Sequence, residues 1–264
     1  MESIAKTLFI PFYFRYLESI SKKEIYDNEA VEFFKNLDNL NLINFSDLDK
    51  DIYSHVGTIA RTKIIDSLLL NLLKSPIDNI FNIGCGLDFK NRRLSIQKPW
   101  YNIDLPPVIQ FRNKNFLRLD FEKNIGEDLL KSANWDFVPN EVNVFILEGV
   151  SMYLLEEEIL SFIKNMCNFS KKAYFIIESA PLEALVNRHP SVHKVDDTII
   201  FKWGTNNIKE FATKANVEFL ESYKHSDFLK NRWPQNDDNN KLVQALKNNY
   251  RISLLRYEKG DFKL

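Results

Sequence analysis

Four acids stand where short apolar runs end. Asp104 follows Trp100–Ile103, Asp120 follows Phe116–Leu119, Glu148 follows Val142–Leu147 and Glu178 follows Ala173–Ile177. Runs of this length between polar segments read as buried strands, and in an open α/β sheet the ligand crevice lies beyond the carboxyl ends of the strands. Carboxylates there are poised to accept hydrogen bonds from ribose hydroxyls, an adenine amino group or a substrate. Chance could place one or two; four in register is harder to dismiss. An earlier run, Ile80–Ile83, leads into a glycine turn, Gly84-Cys85-Gly86. Glycine lets a backbone approach a ligand that a Cβ would push away. Asp104 comes about 20 residues after the turn, the spacing at which an acid meets ribose hydroxyls in nucleotide-binding sheets.

The turn also says what the ligand lacks. A dinucleotide site needs G-x-G-x-x-G, with the pyrophosphate on a helix N-terminus. Here Leu87, Asp88 and Phe89 follow Gly86, so the third glycine is missing and Asp88 brings negative charge to the phosphate position. An adenine nucleoside without phosphate fits better, S-adenosylmethionine foremost. A lone G-x-G also serves plain strand-to-helix geometry, so the turn by itself admits both readings.

These groups need elements to hold them. From Arg61 to Lys74, apolar residues at 64, 65, 68, 69, 72 and 73 predict an amphipathic helix running into the first strand. Arg61 then opens that helix, where a cation opposes the dipole unless an anion such as a ligand carboxylate lies nearby; a surface arginine is the alternative. A second helix is predicted from Glu156 to Phe169, and Ala30, Val31, Phe33, Phe34 and Leu37 share a helical face near the N-terminus. The aromatic stretch Thr7–Arg15 reads first as core packing and second as a ligand wall; Arg15 needs an anionic partner if buried. After the fifth strand come Arg188, His189 and His193, a β-like run Thr198–Phe201, a helix over Asn207–Ala215, and strands over Val217–Tyr223 and Ile252–Tyr257. A polar loop separates the last two, with a helix expected from Lys241. A final antiparallel pair is common in methyltransferase sheets and absent from the usual dinucleotide fold.

Composition sets outer bounds. A 264-residue chain with 45% hydrophobic residues can bury a large core. The net charge of −1 gives no basic field to recruit nucleic acid. Cys85 and Cys167 make neither a disulfide framework nor a metal-ligand spacing, so no metal is expected. Cys85 reads as a small neutral filler. No run reaches membrane-spanning length and the N-terminus is a poor signal peptide, which makes a cytoplasmic location the default.

Six segments, "TLFIPFYFRYLES", "DNEAVEFF", "ARTKIID", "NIGCGLD", "WYNIDLPPVI" and "FILEGVSMYL", occur in the order seen in the leucine carboxyl methyltransferase and polyketide O-methyltransferase family, which the chain resembles over roughly residues 7–155. The closest resemblance is to its bacterial branch, the tetracenomycin-pathway carboxyl methyltransferases. The resemblance implies an α/β, doubly wound, seven-stranded class I methyltransferase sheet of Rossmann-like type. It would carry an N-terminal helical cap (1–60) on a catalytic domain (61–264), with a lid at about 180–240. Carried over, Arg61 would hold the cofactor carboxylate, Gly84 and Gly86 would line its aminoacyl part, and Asp104 would bind the ribose. Asp120 and Phe121 would flank the adenine, Glu148 would face the amino group, and Tyr153 would point to the transfer site. Arg15 could help hold the cofactor carboxylate. Cys85 departs from the alanine usual there.

Methyl transfer from a sulfonium needs position and dryness more than covalent help. A carboxylate acceptor is already ionised at neutral pH, whereas a phenol needs a base. Arg188 and Arg232 could aim a carboxylate; His189 or His193 could serve as a base. The reading is therefore an S-adenosylmethionine-dependent O-methyltransferase acting on a carboxylate or acidic hydroxyl of a small molecule, as a monomer or weak homodimer, without nucleic-acid or membrane partners. A methyltransferase for a protein C-terminus and a non-catalytic S-adenosylmethionine-binding module are the alternatives.

Overall fold

The computed structural model describes residues 6–21, 24–36, 45, 48–128, 135–186, 190–234 and 249–260. Its centre is a seven-stranded sheet: β1 (Asn79–Ile83), β2 (Trp100–Asp104), β3 (Glu122–Gly126), β4 (Val142–Leu147), β5 (Lys172–Ser179), β6 (Glu218–Lys224) and β7 (Arg251–Glu258). The spatial order is β3-β2-β1-β4-β5-β7-β6, with β7 alone antiparallel to its neighbours. Ile83 lies opposite Ile103 on one side and Leu147 on the other, so the parallel strands end level with one another.

Side chains alternate across the strands and feed two cores. Phe81, Ile103, Phe145, Phe175 and Ile177 point to one face, where Ile159, Phe162, Ile163 and Met166 of a helix over Glu156–Phe169 cover them. Ile80, Trp100, Val144, Ile146 and Ile176 point to the other, beneath Ile64, Ile65, Leu68 and Leu69. Parallel strands buried on both faces read as near-continuous apolar runs, which is why β4 and the Glu156–Phe169 helix have the bounds their sequence suggests.

The N-terminal helices α1 (Phe9–Ser21) and α2 (Asn28–Lys35) are tied together by aromatic rings: Phe12 meets Phe33 and Phe34 at centroid distances of 5.4 Å, and Phe116 at 5.9 Å. The aromatic stretch is thus mainly core. Asp27 caps α2 and pairs with buried Arg15 at 2.8 Å, supplying the anion that Arg15 requires.

Three expectations are corrected. The helix bearing Arg61 is α3 (Ile52–Leu72), capped by Asp51, so Arg61 sits mid-helix and the dipole argument lapses. Its first turns carry no apolar stripe because Tyr53, Ser54, Gly57 and Thr58 face a cavity instead of a sheet. The third strand is β3, after Phe116–Leu119: Phe116 joins the aromatic cluster, and Leu117 is 87% exposed. Glu122, buried and bonded by Asn91 and Arg92, pins the β3 register against Trp100. Thr198–Phe201 forms no strand. The helix expected from Lys241 lies outside the described residues. Among the described residues no helix is long and apolar enough to cross a membrane.

Candidate functional site

The carboxyl ends of β1, β2, β4 and β5 open into a cavity of about 390 Å³, walled further by α3 and by Leu8, Ile10 and Pro11 of the N-terminal segment. Gly84 and Gly86 turn the chain there with φ of +60° and +48°, the left-handed region that glycine tolerates. A Cβ on Gly84 would come within 2.7 Å of Val150, so this glycine also admits the turn after β4. Cys85 is buried between them, its thiol pushed up to about 12 by burial, and is a neutral filler.

Asp104 ends β2 and lines the cavity. One carboxylate oxygen accepts the Gly86 N–H and the other the Leu105 N–H, both at 2.7 Å. Burial raises its pKa, against the pull of those two amides. The carboxylate therefore props the glycine turn while its remaining lone pairs are available to hydroxyl donors.

Arg61 bridges two acids. Its Nε lies 2.9 Å from Glu148, and its Nη1 lies 3.2 Å from Glu178. Burial works against the charge of Arg61, but Glu178 and Glu148 outweigh it and hold the guanidinium more firmly protonated. Glu148 also meets Lys90 at 3.1 Å, and Lys90 pairs tightly with Asp88. Burial opposes the charge on Asp88, yet Lys90, Arg15 and Arg93 keep its carboxyl well below the usual range. Buried ions survive only when so paired. Lys90 was not among the residues singled out from sequence; a lysine two residues after Asp88, just past a glycine turn, was the available signal. Asn82, 2% exposed on β1, lines the same cavity and has an Nδ2 without a hydrogen-bond partner, while its Oδ1 accepts from Lys90 at 3.4 Å.

Tyr153 lines the cavity beside Phe201, edge-on at 5.4 Å. Burial pushes its phenol up to about 12, so it remains a protonated donor at neutral pH. Glu178 closes the far side: burial raises its pKa, opposed by Arg61, and it accepts the Gly149 N–H at 2.7 Å.

The structure thus brings together Arg61, Gly84, Gly86, Asp104, Glu148, Tyr153 and also Arg15 and Glu178 around the cavity. It does not bring Asp120 and Phe121 there. Both precede β3, so they sit at the amino end of the strand, and Phe121 packs under α3 with the core. Glu127 and Asp128 are the acids that follow β3. Arg232 is bound by both oxygens of Glu18 at 2.8 Å and does not line the cavity. His193 is exposed and outside it. Arg188 and His189 lie outside the described residues.

The fold and the row of acids at its strand tips define a class I, Rossmann-like methyltransferase architecture. A profile of the leucine carboxyl methyltransferases matches residues 15–167. The chain belongs to that family, whose methyl donor is S-adenosylmethionine. A Thermobifida fusca protein described as a methyltransferase is similar in fold, with a TM-score of 0.54 and 12% identity over 78% of this chain and 83% of its own. The methyltransferase domain of the bacterial protein CtHen1-C aligns with a TM-score of 0.50 and 11% identity over 75% of this chain and 99% of its own. At such identities the likeness is one of fold. No curated protein matches the chain in sequence.

Proposed function

We propose that this methyltransferase transfers its methyl group to oxygen, on a carboxylate or acidic hydroxyl of a small molecule. The observation that carries the reading is the cavity. Its volume of about 390 Å³ falls in the range of small-molecule sites and suits a nucleoside cofactor with a modest acceptor.

The residues present fit the cofactor. Asn82 Nδ2 is a buried donor lacking an acceptor, and Asp104 is a carboxylate held by two backbone amides, with lone pairs left for hydroxyl donors. In this reading Asp104 takes the ribose hydroxyls, and the backbone of Gly84 and Gly86 lies along the aminoacyl chain. Arg61 meets the methionine carboxylate, with Arg15 behind the turn donating to Leu87 O at 2.8 Å. Glu148 faces the amino group. When bound, the cofactor supplies a methyl on a sulfonium, already activated for in-line displacement. The chain supplies alignment, which is worth about 7–11 kcal/mol of barrier for well-oriented reactants. Tyr153, protonated, donates to the acceptor oxygen and so points a lone pair along the sulfonium axis. Lys50 lines the cavity as an exposed side chain and favours an anionic acceptor, beside Lys194, which pairs with Asp51 at 3.8 Å.

The test is isotope transfer from methyl-labelled S-adenosylmethionine to a metabolite extract. Alkali releases labelled methanol from an ester but not from an ether. Label in either product class supports O-methylation; label only on nitrogen or carbon refutes it.

A further inference from the structure

The antiparallel return of β7 carries two side chains into the cavity that no reading of the linear sequence placed there. Arg251, the first residue of β7, lies opposite Ser179 of β5 and Lys224 of β6. The residue before it, Tyr250, and the residue after β6, His225, therefore arrive beside Glu178 at the carboxyl edge of the sheet. His225 N donates to Tyr250 O at 3.1 Å, and the imidazole stacks on the Tyr250 ring at 5.4 Å with a 20° tilt. Its Nε2 is 3.5 Å from Glu178 Oε1. Across the cavity wall stands Gly57 of α3: a Cβ there would lie 4.0 Å from His225 Nδ1 and 3.6 Å from the Trp233 ring. The helix thus shows bare backbone to the imidazole.

We propose that His225 is the general base of this site, and that the acceptor is a phenolic hydroxyl on an aromatic small molecule seated among Tyr53, Phe201, Trp233 and Tyr250. This rests on the methyl-transfer reading of the cavity and narrows its acceptor. All four rings line the cavity with His225, and aromatic faces favour an aromatic guest. A carboxylate acceptor would need no base; a phenol does. The other titratable groups nearby are unsuited. The phenols of Tyr153 and Tyr250 are raised by burial, and Glu148 and Glu178 are occupied by Arg61, Lys90 and the Gly149 amide. Among the described residues lining the cavity, His225 is the one imidazole. A base with a carboxylate beside it, 3.5 Å away and able to stabilise its protonated form, suits such chemistry.

The step balances. A lone pair of the phenol oxygen forms the new O–CH₃ bond as the S–CH₃ bond breaks, its pair remaining on sulfur to give S-adenosylhomocysteine. The phenol proton passes to the His225 imidazole. Glu178, 3.5 Å away, stabilises the imidazolium that forms. The groups facing His225 are Glu178 from β5, Arg61 from α3 through that carboxylate, and Tyr250 ahead of β7; Asp227 on its own turn accepts the Lys224 N–H at 2.8 Å instead.

Para-nitrophenol is the absorption probe; para-cresol and para-nitrobenzoate are the rate probes. S-adenosylhomocysteine-loaded protein should raise the visible phenolate absorption of bound para-nitrophenol at mildly acidic pH, and His225→Asn should abolish that rise. With S-adenosylmethionine, His225→Asn should slow methylation of para-cresol, a phenol un-ionised at neutral pH, about 100-fold and flatten the acid limb of the pH–rate profile, with S-adenosylhomocysteine affinity within about threefold of wild type. Gly57→Val should raise KM for para-cresol and leave that affinity alone, a result that stands even if the histidine variant does not fold. The proposal is overturned by equal rates and profiles in wild type and His225→Asn, by an unchanged KM in Gly57→Val, by methylation of para-nitrobenzoate instead of the phenol, or by methylation of neither. If wild type fails to bind S-adenosylhomocysteine, the cavity reading falls with it; if only the phenol arm fails, O-methylation of a carboxylate survives.

Discussion

Arg61 is one guanidinium shared by two buried carboxylates, and that sharing makes it both a ligand group and a structural one. Removing it leaves Glu148 to Lys90 and leaves Glu178 with no guanidinium against its charge. Breaking a buried pair by deleting one partner costs about 3–5 kcal/mol. Arg61→Ala should therefore lower stability by that order in denaturant titration and weaken S-adenosylhomocysteine binding by calorimetry. Loss of stability with unchanged affinity would reduce Arg61 to a strut. Asp104 accepts two amides and feels the buried Arg112 only at a distance, with no ion pair of its own to break. Asp104→Ala should cost affinity for S-adenosylhomocysteine by about tenfold or more, the order of one or two lost hydrogen bonds to a charged group. If calorimetry finds wild-type affinity, the ribose assignment is wrong. Gly84 behaves differently again: Gly84→Ala forces a Cβ to 2.7 Å from Val150 at a φ of +60°. It should destabilise the fold, and Val150→Ala should recover the steric part but not the backbone part.

Among the elements, the cap helix α1 is fastened to the segment after β6 by Glu18, which accepts from Arg232 at 2.8 Å through both oxygens and lies 3.2 Å from His55 on α3. Burial alone would raise the Glu18 pKa, but His55 and Arg232 prevail and hold it at about 2, against an ordinary 4.5. A carboxyl depressed in the folded state contributes stability above its unfolded pKa and loses it as pH falls toward the folded one. The melting temperatures of wild type and Glu18→Gln should differ at neutral pH and converge between about 4.5 and 2; parallel curves down to pH 2 would deny the clasp that role. This fastening was illegible in the sequence because its partners are more than two hundred residues apart. What the sequence did reveal follows the same logic. β4 and the Glu156–Phe169 helix show their bounds because burial on one or two faces writes a period into the chain. The amino half of α3 faces a cavity and writes none, so the helix seemed to start nine residues later than it does. Phe116–Leu119 imitates a strand as a short apolar run ending on an acid, yet Phe116 is spent on the aromatic cluster and Glu122 sets the true register. His225 carried no local signal at all, since only the β6–β7 pairing brings it to Glu178.

At the scale of the whole molecule, the charges beneath the cavity form a chain. Asp66 joins Arg93, Arg93 reaches Asp88 and Asp27, Asp88 pairs with Lys90, and Lys90 leads through Glu148 and Arg61 to Glu178. It links α2, α3, the glycine turn and the ends of β4 and β5, so whatever occupies the cavity bears on elements spread across the fold. A ligand bound to the native state alone adds RT ln(1 + [L]/Kd), about 2.7 kcal/mol at one hundred times Kd. For a chain of this size that is a rise of about 5–10 °C in melting temperature. S-adenosylhomocysteine should produce it, and Asp104→Ala should remove most of it. NAD should produce none: Asp88 stays ionised because Lys90, Arg15 and Arg93 hold its carboxyl low, so its negative charge persists under the turn where a pyrophosphate would come to rest. An NAD shift matching that of S-adenosylhomocysteine would mean the buried cations, not Asp88, set the potential at the glycine turn.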